Sequence, residues 1–127
     1  MTPVLLAIAF QLLPAPTLPR WQVTVRNPQA DFAIDPATIQ RQGTRVRAAV
    51  RQRYRNPPPG APAAGVTRRL YDCRANTVRS EAADLYDVRG RFLGTLQSRA
   101  DQLRDEPIGP GSPNAQVRNY LCTRGRR

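Results

Sequence analysis

Over residues 44–55 the side chains alternate. Arg45, Arg47, Arg51, Arg53 and Arg55 fall on one side, and Val46, Ala48, Val50, Gln52 and Tyr54 fall on the other. A period of two predicts a strand with one buried face. Its other face carries a row of like charges, spaced about 7 Å apart where they are two residues apart. Shorter alternations flank it. In residues 21–26, Trp21, Val23 and Val25 oppose Gln22, Thr24 and Arg26, and Asn27-Pro28 ends the run. Residues 31–35 form a second short strand with Phe32 and Ile34 on one side. In Asp35-Pro36-Ala37-Thr38-Ile39 the Asp35 carboxylate can accept from backbone amides two and three residues on. Pro36 presets the turn, which predicts a one-turn corner returning Ile39 to the core. Gln42-Gly43 then turns the chain into the Arg-bearing strand.

Four prolines in residues 56–65 cannot join a hydrogen-bonded ladder, so that segment reads as a protruding loop. It lacks the regular P-x-x-P spacing flanked by a defined anchor that marks a recognition motif. Residues 66–73 and 77–88 are the next two strands, joined by Arg74-Ala75-Asn76. In the second, Val78, Ala82 and Tyr86 face one way and Arg79, Glu81 and Leu85 the other. Arg89-Gly90-Arg91 makes a tight turn into a short strand over 92–96. Residues 97–106 carry no clear period. Ser112 followed by Pro113 is a helix start, and Val117, Tyr120 and Leu121 then share one face up to Cys122. A helix of about ten residues is marginal alone and needs a sheet to pack on. The pattern predicts an α+β fold: a mainly antiparallel β-sheet of about six strands with a C-terminal helix packed on it.

Residues 4–13 (VLLAIAFQLL) are nearly continuously apolar. A helix crossing a bilayer needs about 20 such residues, so this run has the length of a signal-peptide centre instead. No Lys or Arg precedes it, and the best small-residue cleavage pair, Ala15 and Thr17, sits among prolines. The competing reading, a buried N-terminal segment, would have to absorb four prolines in the first 19 residues. We therefore expect a signal peptide over 1–19, a single domain over 20–122 and a basic tail over 123–127. The mature chain is expected to have no transmembrane span.

Cysteine usage points the same way. Cys73 and Cys122 are far apart and belong to no C-x-x-C motif. A disulfide closing a loop of about 50 residues stabilises by roughly 4 kcal/mol in the chain-entropy model. The alternative is two unpaired thiols in a reducing cytoplasm. Two Cys with no His offer too few ligands for a zinc site, and no cofactor is expected.

All 20 basic residues are Arg, nine carboxylates oppose them, and the net charge is +11 over 127 residues. Such a balance suits an acidic partner, although an Arg, Ala and Pro bias without Lys also fits a GC-rich genome. The absence of His removes imidazole bases and Ser/His or Cys/His pairs. Gly109-Pro110-Gly111-Ser112 reads as helix capping, since it is no phosphate loop. Asp84, Asp87, Asp101, Asp105 and Glu106 read as partners for nearby Arg side chains. No nucleophile has a base beside it, and the chain is read as a non-enzyme. The Arg row, Arg45, Arg47, Arg51, Arg53 and Arg55, is the candidate anion or partner surface. A cytoplasmic nucleic-acid binder is the alternative. It would interleave aromatics with the cations, whereas Trp21, Tyr54, Tyr71, Tyr86 and Phe92 fall mostly on faces assigned to the core.

In order along the chain, several features resemble the surface-adhesin protein E family of small exported proteins of Gram-negative bacteria. They are the Trp21-led strand, the corner from Asp35 to Ile39 with Gly43, and the long alternating strand. Tyr71-Asp72-Cys73, Tyr86 and Gly90, Pro110-Gly111-Ser112 and the last-helix Cys122 follow. The resemblance implies a C-terminal helix on a curved antiparallel sheet and a Cys73–Cys122 disulfide. It also implies a non-catalytic role in the periplasm or at the cell surface. The adhesin that names the family binds host matrix and plasma proteins and can form a homodimer. For the Arg face of such a module, acidic host or envelope proteins, glycans and lipid headgroups are the expected partners. The chain departs from that pattern in having no Cys after the leader for a lipid anchor and no Trp before Pro110.

Overall fold

The structure, a computed structural model, describes residues 21–123. The expected leader over 1–19 and the tail beyond Thr123 lie outside the described residues. One antiparallel sheet carries the fold. Its strands are β1 (Gln22–Arg26), β2 (Ala30–Ile34), β3 (Gln40–Gln42), β4 (Arg45–Tyr54), β5 (Ala64–Asp72), β6 (Thr77–Tyr86), β7 (Phe92–Gln97) and β8 (Glu106–Pro107). The continuous path is β1-β2-β4-β5-β6-β7, which is the expected set of about six. Two additions were not expected from the alternation: β3 pairs with the start of β4, and β8 pairs with the start of β6. Both are too short to show a period.

Val46, Ala48 and Val50 of β4 are buried as expected, at 2% exposure or less, whereas Gln52 is half-buried and Tyr54, at the end of the strand, is exposed. Tyr71 and Val78 lie level with Val46 across β5 and β6, while Phe32 and Ile34 extend the same apolar face into β2. Onto this face packs α1 (Pro113–Thr123), with Val117 and Leu121 fully buried. The Ser112 hydroxyl accepts from the Ala115 amide, the expected cap. The Cys73–Cys122 disulfide joins α1 to the end of β5 with 5.8 Å between Cα atoms. The corner after β2 is a 3-10 turn over Pro36–Thr38, with Asp35 accepting from the Ala37 amide and Ile39 packed against the core.

Two β-bulges reverse the sides expected from simple alternation. In β1 the register shifts between Val23 and Val25, so Val25 pairs with Phe32 on the buried face and Val23 with Ala33 on the opposite face. In β6 the register shifts around Glu81, with Ser80 opposite Arg69 and Ala82 opposite Arg68. Beyond that point Ala82 and Tyr86 leave the side of Val78, and Leu85 moves onto the helix-bearing face. An extra residue in one strand inverts every side chain after it.

Candidate functional site

The Arg row lies on the face away from α1, where β2, β4, β5 and β6 are neighbours. Each Arg meets a different environment. Arg45 lies directly opposite Asp72 of β5, Nε to Oδ2 3.6 Å. Arg47 reaches across β5 to Glu81 of β6, donating from Nε and Nη2 to the two carboxylate oxygens at 2.6 and 3.1 Å. This two-pronged bond holds the Arg47 guanidinium above its usual range, a rise that burial opposes. The bulge in β6 supplies Glu81 at that place. Arg55, just past β4, donates to Asp31 and to the Asn27 carbonyl. Three of the five expected site residues are thus bound to carboxylates of this chain.

Arg51 and Arg53 are not. The Arg51 guanidinium stacks over the Trp21 ring at 5.0 Å from its centroid, a cation–π contact. Its Nε is buried and has no hydrogen-bond partner among the described residues. Burial first, and then the charge of Arg53, lower the Arg51 guanidinium from its usual value, against the pull of Asp31. Arg53 is exposed, directly opposite Asp31 and Ala64 in the ladders, yet forms no ion pair among the described residues. Both side chains line a cleft of about 560 Å³ with Trp21, Tyr54, Arg55 and Tyr86 among its walls. Tyr86 packs edge-on against Phe92, ring centroids 5.8 Å apart. The carboxylate in the cleft, Asp87, is engaged by the Arg91 amide and guanidinium and by the Arg89 amide, which hold its carboxyl below the ordinary range.

The expectation that aromatics avoid the Arg face is therefore corrected. The bulges in β1 and β6 bring Trp21 and Tyr86 to it. Arg68 is a further cation there that the sequence reading did not single out. It is exposed, lies between Ala49 and Ala82 in the ladders, and has no ion pair among the described residues. The signal for it was the alternation of Val66, Arg68 and Leu70 against Thr67, Arg69 and Tyr71.

A guanidinium on an aromatic face with unused donors suits a carboxylate, sulfate or phosphate, which its planar fork can grip with two bonds. No helix among the described residues is long and apolar enough to cross a membrane. Compared with known protein families, residues 21–123 match the family described as Surface-adhesin protein E. No curated protein matches the chain.

Proposed function

Because this chain belongs to the surface-adhesin protein E family, we propose that it is a non-catalytic binding module of the periplasm or cell surface, and that it grips anionic groups at Arg51 and Arg53. The acidic groups would be those of envelope or host proteins, glycans or lipid headgroups. One observation supports this choice within the Arg row. Arg45, Arg47 and Arg55 are matched by Asp72, Glu81 and Asp31, while Arg51 and Arg53 keep their charge unmatched beside Trp21. Matched cations add little field outside the protein, whereas unmatched ones draw polyanions. The compartment rests on family membership together with the Cys73–Cys122 disulfide, which belongs in an oxidising space. The same two findings weigh against a cytoplasmic nucleic-acid binder.

Two charge-matched variants test the site on a heparin column, a sulfated glycan. Arg51→Gln with Arg53→Gln should elute at clearly lower salt than the parent. Arg45→Gln with Arg47→Gln should shift elution less, because those two side chains are held on Asp72 and Glu81 and do not line the cleft. Equal shifts would reduce the reading to net charge and sink the site. Cell fractionation with a thiol count tests the compartment, and free thiols in a cytoplasmic fraction would overturn it.

A further inference from the structure

Among the described residues, the helix-bearing face of the sheet is covered only at one end. Val46, Tyr71 and Val78 lie under α1 and its surroundings, but toward the other ends of β4, β5 and β6 the face opens into a groove of about 740 Å³. Its floor is Gln52, Gly65, Thr67, Ala83 and Leu85, with Leu96 of β7 at one side. Prolines of the β1–β2 turn and of the loop after β4 form the opposite wall. That loop is tied down by bonds from the Tyr54 amide to the Ala63 carbonyl and from the Ala63 amide to the Tyr86 carbonyl. The Arg55 amide also bonds to the Gln29 carbonyl. The groove is therefore preformed, which limits the ordering cost of filling it.

Three observations define what fits. No charged side chain among the described residues lines the groove, in a chain of 20 Arg and nine carboxylates. Its polar lining consists of amides and hydroxyls, and the side chains of Gln29, Gln52, Asn56 and Thr67 make no hydrogen bonds among the described residues. At the floor, the interior strand position between Gln52 and Leu85 is a glycine. Gly65 is not among the glycines with positive φ, and a methyl there would meet Leu85 Cδ2 at an ordinary 3.5 Å. Its backbone does not require glycine. What glycine provides is depth, and an interior strand glycine weakens the strand unless something else approaches it closely.

We infer that this groove is a second binding site, taking an extended, uncharged peptide segment of a partner protein. Apolar side chains of the segment would lie over Gly65 between Leu85, Leu96 and the prolines. Gln29, Gln52, Asn56 and Thr67 would supply donors and acceptors for its main chain, which must be satisfied once water is displaced. An acyl chain would instead strand those four polar side chains. The groove lies on the opposite sheet face from Arg51 and Arg53, so this inference does not rest on the anion reading.

The probe is a phage-displayed library of random dodecapeptides selected on the full chain. The expected winners are poor in Asp, Glu, Lys and Arg. Their affinity should fall by about tenfold or more in Gly65→Leu, which fills the groove, and in Gln52→Met with Thr67→Val, which removes the hydrogen-bonding groups at nearly constant volume. It should not change in Arg51→Gln with Arg53→Gln. Thermal melting checks that each variant folds, and the Gln52/Thr67 variant carries the test if Gly65→Leu does not. Failure to enrich any peptide, or enrichment of acidic peptides that respond only to the Arg51/Arg53 variant, would overturn the inference. So would palmitate binding that is lost in Gly65→Leu but kept in the Gln52/Thr67 variant, since that outcome assigns the groove to acyl chains.

Discussion

The side-chain carbonyl of Asn114, in the first turn of α1, accepts the Tyr71 hydroxyl at 2.8 Å and Nη1 of Arg69 at 2.7 Å. Arg69 is only 8% exposed and Tyr71 is fully buried, so one acceptor on the helix serves two buried donors on β5. The helix is docked by this bond as well as by Val117 and Leu121.

Removing the shared acceptor should therefore cost more than removing one donor. Tyr71→Phe is expected to lose about 1 kcal/mol, and Asn114→Ala about 2–3 kcal/mol because it strands both donors. Urea unfolding of the two single variants and their combination measures this. Additive losses, or equal ones, would mean that the three groups do not act as a unit.

The Arg47–Glu81 pair has good geometry but is partly open to water, with side chains 36% and 24% exposed. A double-mutant cycle should give a coupling of about 0.5–1 kcal/mol, falling with salt. Replacing Arg47, Arg51 and Arg53 together by Gln should accordingly leave the fold intact. Loss of cooperative unfolding in that triple variant would contradict the placement of these side chains on the wet face.

Reducing the Cys73–Cys122 bond, separated by 49 residues, should lower stability by about 4 kcal/mol. Unfolding midpoints with and without reductant give the number. Coincident midpoints would show that the apolar face of α1 holds the helix unaided.

Stability should form a plateau in pH with two falling limbs. The Asp72 carboxyl is held below its usual range by amide bonds from Ala75 and Arg74 and by the Arg45 charge, and Asp87 is lowered by its bonds from Arg91 and Arg89. For a lowered carboxyl the stabilisation is present above about pH 3.9 and is lost as pH falls through the folded value. Burial raises the Tyr71 hydroxyl, so its contribution is present below about pH 10 and is lost as pH rises through the folded value. Melting temperature against pH should show both limbs. Asp72→Asn with Asp87→Asn should shrink the acid limb alone.

Much of this could be read along the chain because it is local. Alternation is set by backbone geometry, so Val46, Ala48 and Val50 were assigned to the core before any partner strand was known. The corner at Asp35-Pro36 and the cap at Ser112 use side chains that bond within three residues, and both stand where expected. Alternation failed at Val23 to Val25 and around Glu81, where a bulge inverts the sides. A bulge is decided by pairing with a neighbouring strand, so it leaves no mark in the period of its own strand. The Trp21 and Tyr86 walls of the Arg cleft were missed for that reason.

The five Arg residues on one face of a strand follow from sequence alone, and so does the wetness of that face. Which of them remain unmatched does not. Asp31, Asp72 and Glu81 lie on three other strands, and only the register of the sheet brings each to Arg55, Arg45 and Arg47. Charge pairing is a short-range contact between distant positions, while charge placement follows the two-residue repeat of one strand. Tertiary structure therefore decided that, among the described residues, Arg51 and Arg53 are the members of the row left without a carboxylate partner, and that the opposite face ends in a groove over Gly65 lined by no charged side chain.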